Sequence, residues 1–110
     1  MFDVNTRCGK TMDQATDPIA LFHCWMRDAE HSELNDPNAM SLATATPGGI
    51  PSVRIVLLKR LDERGFTFYT NGESRKGCEL RANLQAALCF HWKSRKRQVR
   101  VEGEIVELPP

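Results

Sequence analysis

The chain predicts a mainly β domain, a small antiparallel barrel or strongly curled sheet with flanking helices, and three observations point there. Apolar residues alternate with period two through most of the chain from Ala39 onward, turn residues break that alternation at short intervals, and only two stretches carry helical spacing. With 110 residues the chain fits one small domain that buries roughly 65% of the surface its unfolded form exposes.

Residues 1–16 are polar and aperiodic and read as a loose N-terminal arm, so that order begins at Asp17 and the domain runs over 17–110. Asp17-Pro18 supplies an N-cap and an N1 proline. Leu21, Phe22, Trp25, Met26 and Ala29 then repeat at helical spacing up to about Glu30. Trp25 and Met26 are read as core rather than as a partner-binding stripe. Asn35-Asp-Pro37 is a turn. A strand follows over Ala39 to Thr46, Pro47-Gly-Gly49 turns the chain, and a second strand covers Ser52 to Leu61. Asp62 to Gly65 turns again into Phe66 to Thr70, completing a three-strand meander. A helix over Ser74 to Ala82 buries Cys78 and Leu80, Gln85 to Trp92 is a fourth strand, Lys93 to Lys96 a basic turn, and Arg97 to Leu108 a fifth strand.

Lys and Arg number 15 against 14 Asp and Glu, a formal net charge of +1, so no global field draws in nucleic acid or an acidic membrane. No stretch is long and apolar enough to span a bilayer, and the expectation is a cytoplasmic protein. Cys8, Cys24, Cys78 and Cys89 form no C-x-x-C pair, which argues for reduced thiols. Cys89 and His91 share a strand face, but two ligands do not make a metal site, and none is expected. In the turn Lys93-Ser-Arg-Lys-Arg97 a nucleic-acid contact with Trp92 and His91 stacking stands against a solvated hairpin, and the near-zero net charge favours the hairpin. No Ser-His-Asp constellation is evident, His23, His31 and His91 are given no role, and no catalytic residue is assigned.

The chemistry concentrates at Ser74-Arg-Lys76. A helix N-cap is followed at once by two cations, the unfavourable sign for a helix start, so a bound anion is one reading and a solvated helix start the other. Phosphate suits the first, because amide N–H groups and a guanidinium fork offer several charge-assisted donors to one anion.

Arg54-Ile-Val-Leu-Leu-Lys59, Gly65-Phe-Thr-Phe-Tyr-Thr-Asn71, Ser74-Arg-Lys-Gly77, Ala86-Ala-Leu-Cys-Phe-His-Trp92 and Arg97-Gln-Val-Arg-Val-Glu-Gly103 resemble, in order and spacing, consecutive blocks of the pyridoxamine 5′-phosphate oxidase family. The likeness runs from about Asp17 to the last residue. It implies an FMN-binding split β-barrel, incomplete in this chain, and a homodimer with flavin in clefts at the subunit interface. Carried over, the family's flavin contacts fall on Arg54, Ile55, Val56, Leu57, Leu58, Lys59, Tyr69, Thr70, Arg75, Lys76 and Gln98, and Lys59 also holds substrate. Arg54, Arg75 and Lys76 would grip the FMN phosphate, and backbone groups of Ile55 to Leu58 would meet the polar edge of the flavin ring. The implied reaction is oxidation of pyridoxamine or pyridoxine 5′-phosphate to pyridoxal 5′-phosphate, with dioxygen as acceptor and hydrogen peroxide as co-product.

Two features depart from the family pattern. Members continue for about as many residues again, so missing strands are expected to leave sheet edges and apolar faces that drive dimerisation or aggregation. Arg95 and Lys96 also stand where a leucine is usual. Finally, the odd separation of Arg54 and Lys59 puts them on opposite faces of one strand unless a bulge intervenes.

Overall fold

The computed structural model describes residues 2–7, 17–62, 64–69 and 75–107, with backbone alone for 2–7 and 75–77. Six antiparallel strands close into a ring in the order β1-β4-β3-β2-β5-β6. They are β1 (Phe2–Arg7), β2 (Ala39–Ala45), β3 (Pro51–Asp62), β4 (Gly65–Phe68), β5 (Gln85–Trp92) and β6 (Arg97–Glu107); helix α1 spans Pro18–Ser32 and α2 spans Arg75–Ala82. The expected elements from Asp17 onward are all present, most within a residue or two of their expected bounds.

The N-terminal arm is the main correction. Phe2–Arg7 is a strand, paired to Phe66–Phe68 of β4 on one side and to Glu102–Glu107 of β6 on the other. Backbone N–H and C=O groups of two strand edges gain partners this way, which a six-residue polar segment can provide without a long apolar run. The edges of β4 and β6 are therefore closed by β1, against the general expectation of exposed sheet edges. The rest of the expected arm, 8–16, lies outside the described residues.

The strands alternate as their sequences require. Met40, Leu42 and Thr44 of β2, Val56 of β3, Ala86, Leu88, Phe90 and Trp92 of β5, and Val101 and Ile105 of β6 are buried inside the barrel. Helix α1 begins where Asp17 Oδ1 accepts from the amides of Ile19 (3.0 Å) and Ala20 (3.2 Å), with Pro18 at its first position. It lays Phe22 against the rings of Phe66, Phe90 and Trp92, with centroids 5.2, 5.0 and 5.6 Å away. Burying that ring contributes about 1.5–3 kcal/mol, so α1 is held by its apolar face as its spacing foretold. Trp25 and Met26 pack on the same core. In α2, Leu80 is fully buried but Cys78 is exposed, against the expectation that both pack inward. The β2–β3 turn closes through Gly49, whose amide donates to Thr46 O at 2.9 Å and whose φ of 90° suits only glycine well.

Candidate functional site

Arg54 lies on the inward row of β3 with Ser52, Val56 and Leu58, and its guanidinium is held by three acceptors on two other elements. Nη1 donates to Leu42 O (3.2 Å) and Thr44 Oγ1 (2.8 Å) on β2, and Nη2 donates to Glu79 Oε2 (3.3 Å) on α2. The other carboxylate oxygen of Glu79 accepts from Ser52 Oγ at 3.1 Å. Register explains the meeting: Leu42 faces Arg54 and Thr44 faces Ser52 across the β2–β3 ladder. Glu79 is only 7% exposed, next to fully buried Leu80 at the foot of α2. A carboxylate and a guanidinium so withdrawn from water are tolerated because they pair and hydrogen-bond. A guanidinium has five N–H donors, and the three contacts leave one on Nε and one on Nη2 for a further acceptor.

Lys59 sits at the break in the β3–β4 ladder, where the register shifts between Leu58 and Arg60. The bulge falls at Lys59 itself, so Arg54 stays on the inward row and Lys59 on the outer face, as their odd separation requires, and the parity of the strand changes only beyond Lys59. The Lys59 ammonium lies 5.5 Å from the ring centroid of Tyr69, just after β4. Tyr69 is 55% exposed, so it is not a core residue and its ring face is open to a ligand as well as to Lys59.

Between these two groups runs an unpaired stretch of backbone. β2 pairs with β3 along Pro51–Leu57, whereas β4 reaches only Leu58–Asp62 on the opposite edge. Leu58 N donates to Asn38 O on the β2 side, so by alternation the peptide groups of Val53 and Ile55 face the other edge. Among the described residues no strand pairs with that edge, which leaves donors and acceptors for a planar polar group.

The side chains of the same stretch divide. Val56 is buried and Leu58 packs against the core, and their peptide groups face β2, where Leu58 N donates to Asn38 O and Leu58 O accepts from Asn38 Nδ2 (3.2 Å), so neither residue offers a group to the open edge, against the expectation for both. Val53, Ile55 and Leu57 point outward, with Ile55 65% exposed. Beside them lie the small Ala43, Ser41 and Ala39 of β2, and Ser41 is in turn opposite Cys89 of β5. Gln98 is exposed on the outer face of β6, opposite His91 and three strands from β3. The structure thus brings together Lys59 with Tyr69, and Arg54 with residues absent from the expected set, while Gln98 stands apart. Thr70 lies outside the described residues, as do the side chains of Arg75 and Lys76, whose backbone opens α2.

Sequence reasoning missed Glu79, Ser52 and Thr44. The available signal was Glu79 itself, four residues after Arg75 and immediately before an apolar helix position, where a lone carboxylate facing a barrel needs a cation.

At the basic turn Trp92 is not available for stacking, whereas His91 is exposed. Trp92 is buried and its Nε1–H donates to Pro37 O at 2.7 Å. Lys93–Arg95 forms one 3-10 turn ending at Lys96 in the left-handed region (φ 54°). Ser94 N donates to Glu33 Oε2 (2.9 Å), Arg95 Nε donates to Ser32 Oγ (3.0 Å) and Arg97 Nη1 donates to Asp28 Oδ2 (2.9 Å). Hydrogen bonds from Ser94 hold the Glu33 carboxyl below its usual range, and the Arg97 hydrogen bond does the same for Asp28. Among the described residues no group of three His, Cys, Asp or Glu could hold a metal, and no helix is long and apolar enough to cross a membrane.

The fold defines a small closed antiparallel β-barrel flanked by two helices, with an anchored arginine and an open stretch of strand edge on β3. Residues 26–110 match the family described as pyridoxamine 5′-phosphate oxidase, and the chain belongs to that family. It is 68% identical over 95 residues to a pyridoxine/pyridoxamine 5′-phosphate oxidase from Erythrobacter litoralis (strain HTCC2594), covering 86% of this chain and 45% of the relative. A protein of the same name from Gluconobacter oxydans (strain 621H) is 65% identical, over 86% of this chain and 47% of its own length. The chain therefore spans a little less than half the length of these relatives. Among solved structures, PhzG from Burkholderia lata 383, in complex with tetrahydrophenazine-1-carboxylic acid, superposes with a TM-score of 0.82 at 34% identity, over 88% of this chain and 48% of that one. A pyridoxamine 5′-phosphate oxidase-related, FMN binding protein from Nostoc punctiforme PCC 73102 shares the fold, with a TM-score of 0.67 at 24% identity, over 86% of this chain and 49% of that one.

Proposed function

We propose that this chain forms the N-terminal, flavin-holding portion of an FMN-dependent oxidase that converts pyridoxamine or pyridoxine 5′-phosphate to pyridoxal 5′-phosphate in the cytoplasm. The observation that carries the reading is Arg54: a guanidinium fixed on three sides with two donors to spare suits one phosphate group. Family membership supports the same choice of cofactor. FMN, when bound, supplies a hydride acceptor that passes electrons on to dioxygen, giving hydrogen peroxide.

The chain's own residues bind and orient. Arg54, with Arg75 and Lys76, takes the phosphate end, and Thr70 is a further flavin contact. The peptide groups of Ile55 and Leu57, which face the open edge, meet the polar edge of the ring system, Tyr69 packs against it, and Lys59, on the outer face at the bulge, helps to hold the substrate. Gln98 lies too far round the barrel to join them within one chain. Its position, and the exposed row of Val53, Ile55 and Leu57, support a homodimer in which the cofactor lies between copies.

The test is anaerobic bleaching of bound flavin by pyridoxamine 5′-phosphate, run on this chain and on one of the relatives' full length. Bleaching that requires the substrate phosphate supports the oxidase. Flavin binding without bleaching in either chain favours the second reading, a flavin-binding module without turnover, which the chain's share of its relatives' length motivates.

A further inference from the structure

We infer that Glu79 is a positioning residue for phosphate recognition, acting through Arg54. The inference rests on the reading of Arg54 as the phosphate ligand and adds a residue to it.

Glu79 adds a polar tie from α2 to β3, beside the buried Leu80 and the Arg81–Glu107 ion pair that also seat the helix on the barrel. Its carboxylate comes from α2, whose first residues are Arg75 and Lys76, and it divides its oxygens between Arg54 and Ser52 on β3. Together with Leu42 O and Thr44 Oγ1 it fixes the plane of the guanidinium, because three donors committed to acceptors on β2 and α2 hold the fork at both of its terminal nitrogens. The two uncommitted donors, on Nε and Nη2, are thereby aimed before any ligand arrives, which spares the ordering cost of binding. The charges argue the same way. Arg54 and Glu79 cancel, so Arg54 adds direction rather than net charge, and net positive charge must come from elsewhere, for which Arg75 and Lys76 at the start of the same helix are suited. A carboxylate this close to a phosphate-binding arginine would otherwise only oppose the ligand, and its burial at 7% exposure carries a desolvation cost that the hydrogen bonds must offset.

The test is a pair of fluorescence-quench titrations, FMN and riboflavin, on the wild-type chain, Glu79→Ala, Glu79→Gln, Arg54→Lys and the double variant Glu79→Ala/Arg54→Lys. The readout is the ratio of FMN to riboflavin affinity, which a general loss of stability does not change. Glu79→Ala is expected to lower that ratio about tenfold with riboflavin affinity kept. Glu79→Gln restores most of it, because the amide oxygen can still accept from Arg54 and the amide NH2 can donate to Ser52. In the Arg54→Lys background Glu79→Ala has no further effect. If Glu79→Ala does not fold, Glu79→Asp replaces it, since a carboxylate one methylene shorter keeps the charge but withdraws the contact. An unchanged ratio in the Glu79 variants while Arg54→Lys lowers it overturns this inference alone, and so does an equal effect of Glu79→Ala with and without Arg54. A wild-type chain that does not distinguish FMN from riboflavin overturns the phosphate reading and the inference with it.

Discussion

Lys59 and Tyr69 face each other across the β3–β4 bulge, with the ammonium 5.5 Å from the ring centroid. Both are exposed, so the contact adds little to folding, and both are free to exchange it for a ligand. Tyr69→Ala is expected to change unfolding free energy by less than about 1 kcal/mol, the range for an exposed cation–π pair, while weakening flavin binding. Denaturant unfolding alongside a flavin titration checks both halves.

Trp92 is the opposite case. Its ring is buried in the aromatic cluster and its Nε1–H satisfies Pro37 O, which ties the α1–β2 turn to the barrel. Trp92→Phe keeps much of the apolar surface but leaves that carbonyl without its donor. A loss of about 1–3 kcal/mol in denaturant unfolding is expected. A change within about 0.5 kcal/mol, as at an ordinary surface site, would mean that the hydrogen bond does not contribute.

The outward row of Val53, Ile55 and Leu57 is where self-association is expected. Ile55→Lys places a charge at its centre without touching the core. Sedimentation velocity should show wild type as a dimer and this variant as a monomer, with the fold intact by circular dichroism. A monomeric wild type contradicts the dimer.

The clamp between α1 and the 3-10 turn makes stability pH-dependent. Asp28 and Glu33 both have carboxyl groups held below their ordinary range in the folded chain, Asp28 by the Arg97 hydrogen bond and Glu33 by those from Ser94. Their contribution is therefore complete above the unfolded values, about 3.9 for Asp and 4.3 for Glu, and is lost as pH falls through the lower folded values. Asp28→Asn and Glu33→Gln should each flatten the acid side of a stability–pH curve and leave its alkaline side unchanged. Both groups are solvent-accessible, so added salt should shrink the effect.

Most of the barrel from Asp17 onward was legible because its signals are local. Asp17-Pro18 starts a helix by capping chemistry, Gly49 turns a hairpin by its φ, and the period-two rows of β2, β5 and β6 declare which side is inside. What was not legible depends on contacts between distant segments. Phe2–Arg7 becomes a strand only because β4 and β6 present edges to it, and nothing in six polar-rich residues announces that. The bulge at Lys59 was anticipated as one of two outcomes, since parity alone cannot choose between them. At the site, the family resemblance flagged Arg54, but its partners Glu79, Ser52 and Thr44 became visible only once register and the seat of α2 were known.

The central claim is that Arg54 and the start of α2 form a phosphate-dependent flavin site. Titrating FMN into the wild-type chain, with riboflavin as control, tests it most directly. Saturable quenching by FMN with clearly weaker binding of riboflavin is the predicted result, whereas equal affinity for the two, or no binding of FMN by a folded chain, contradicts it.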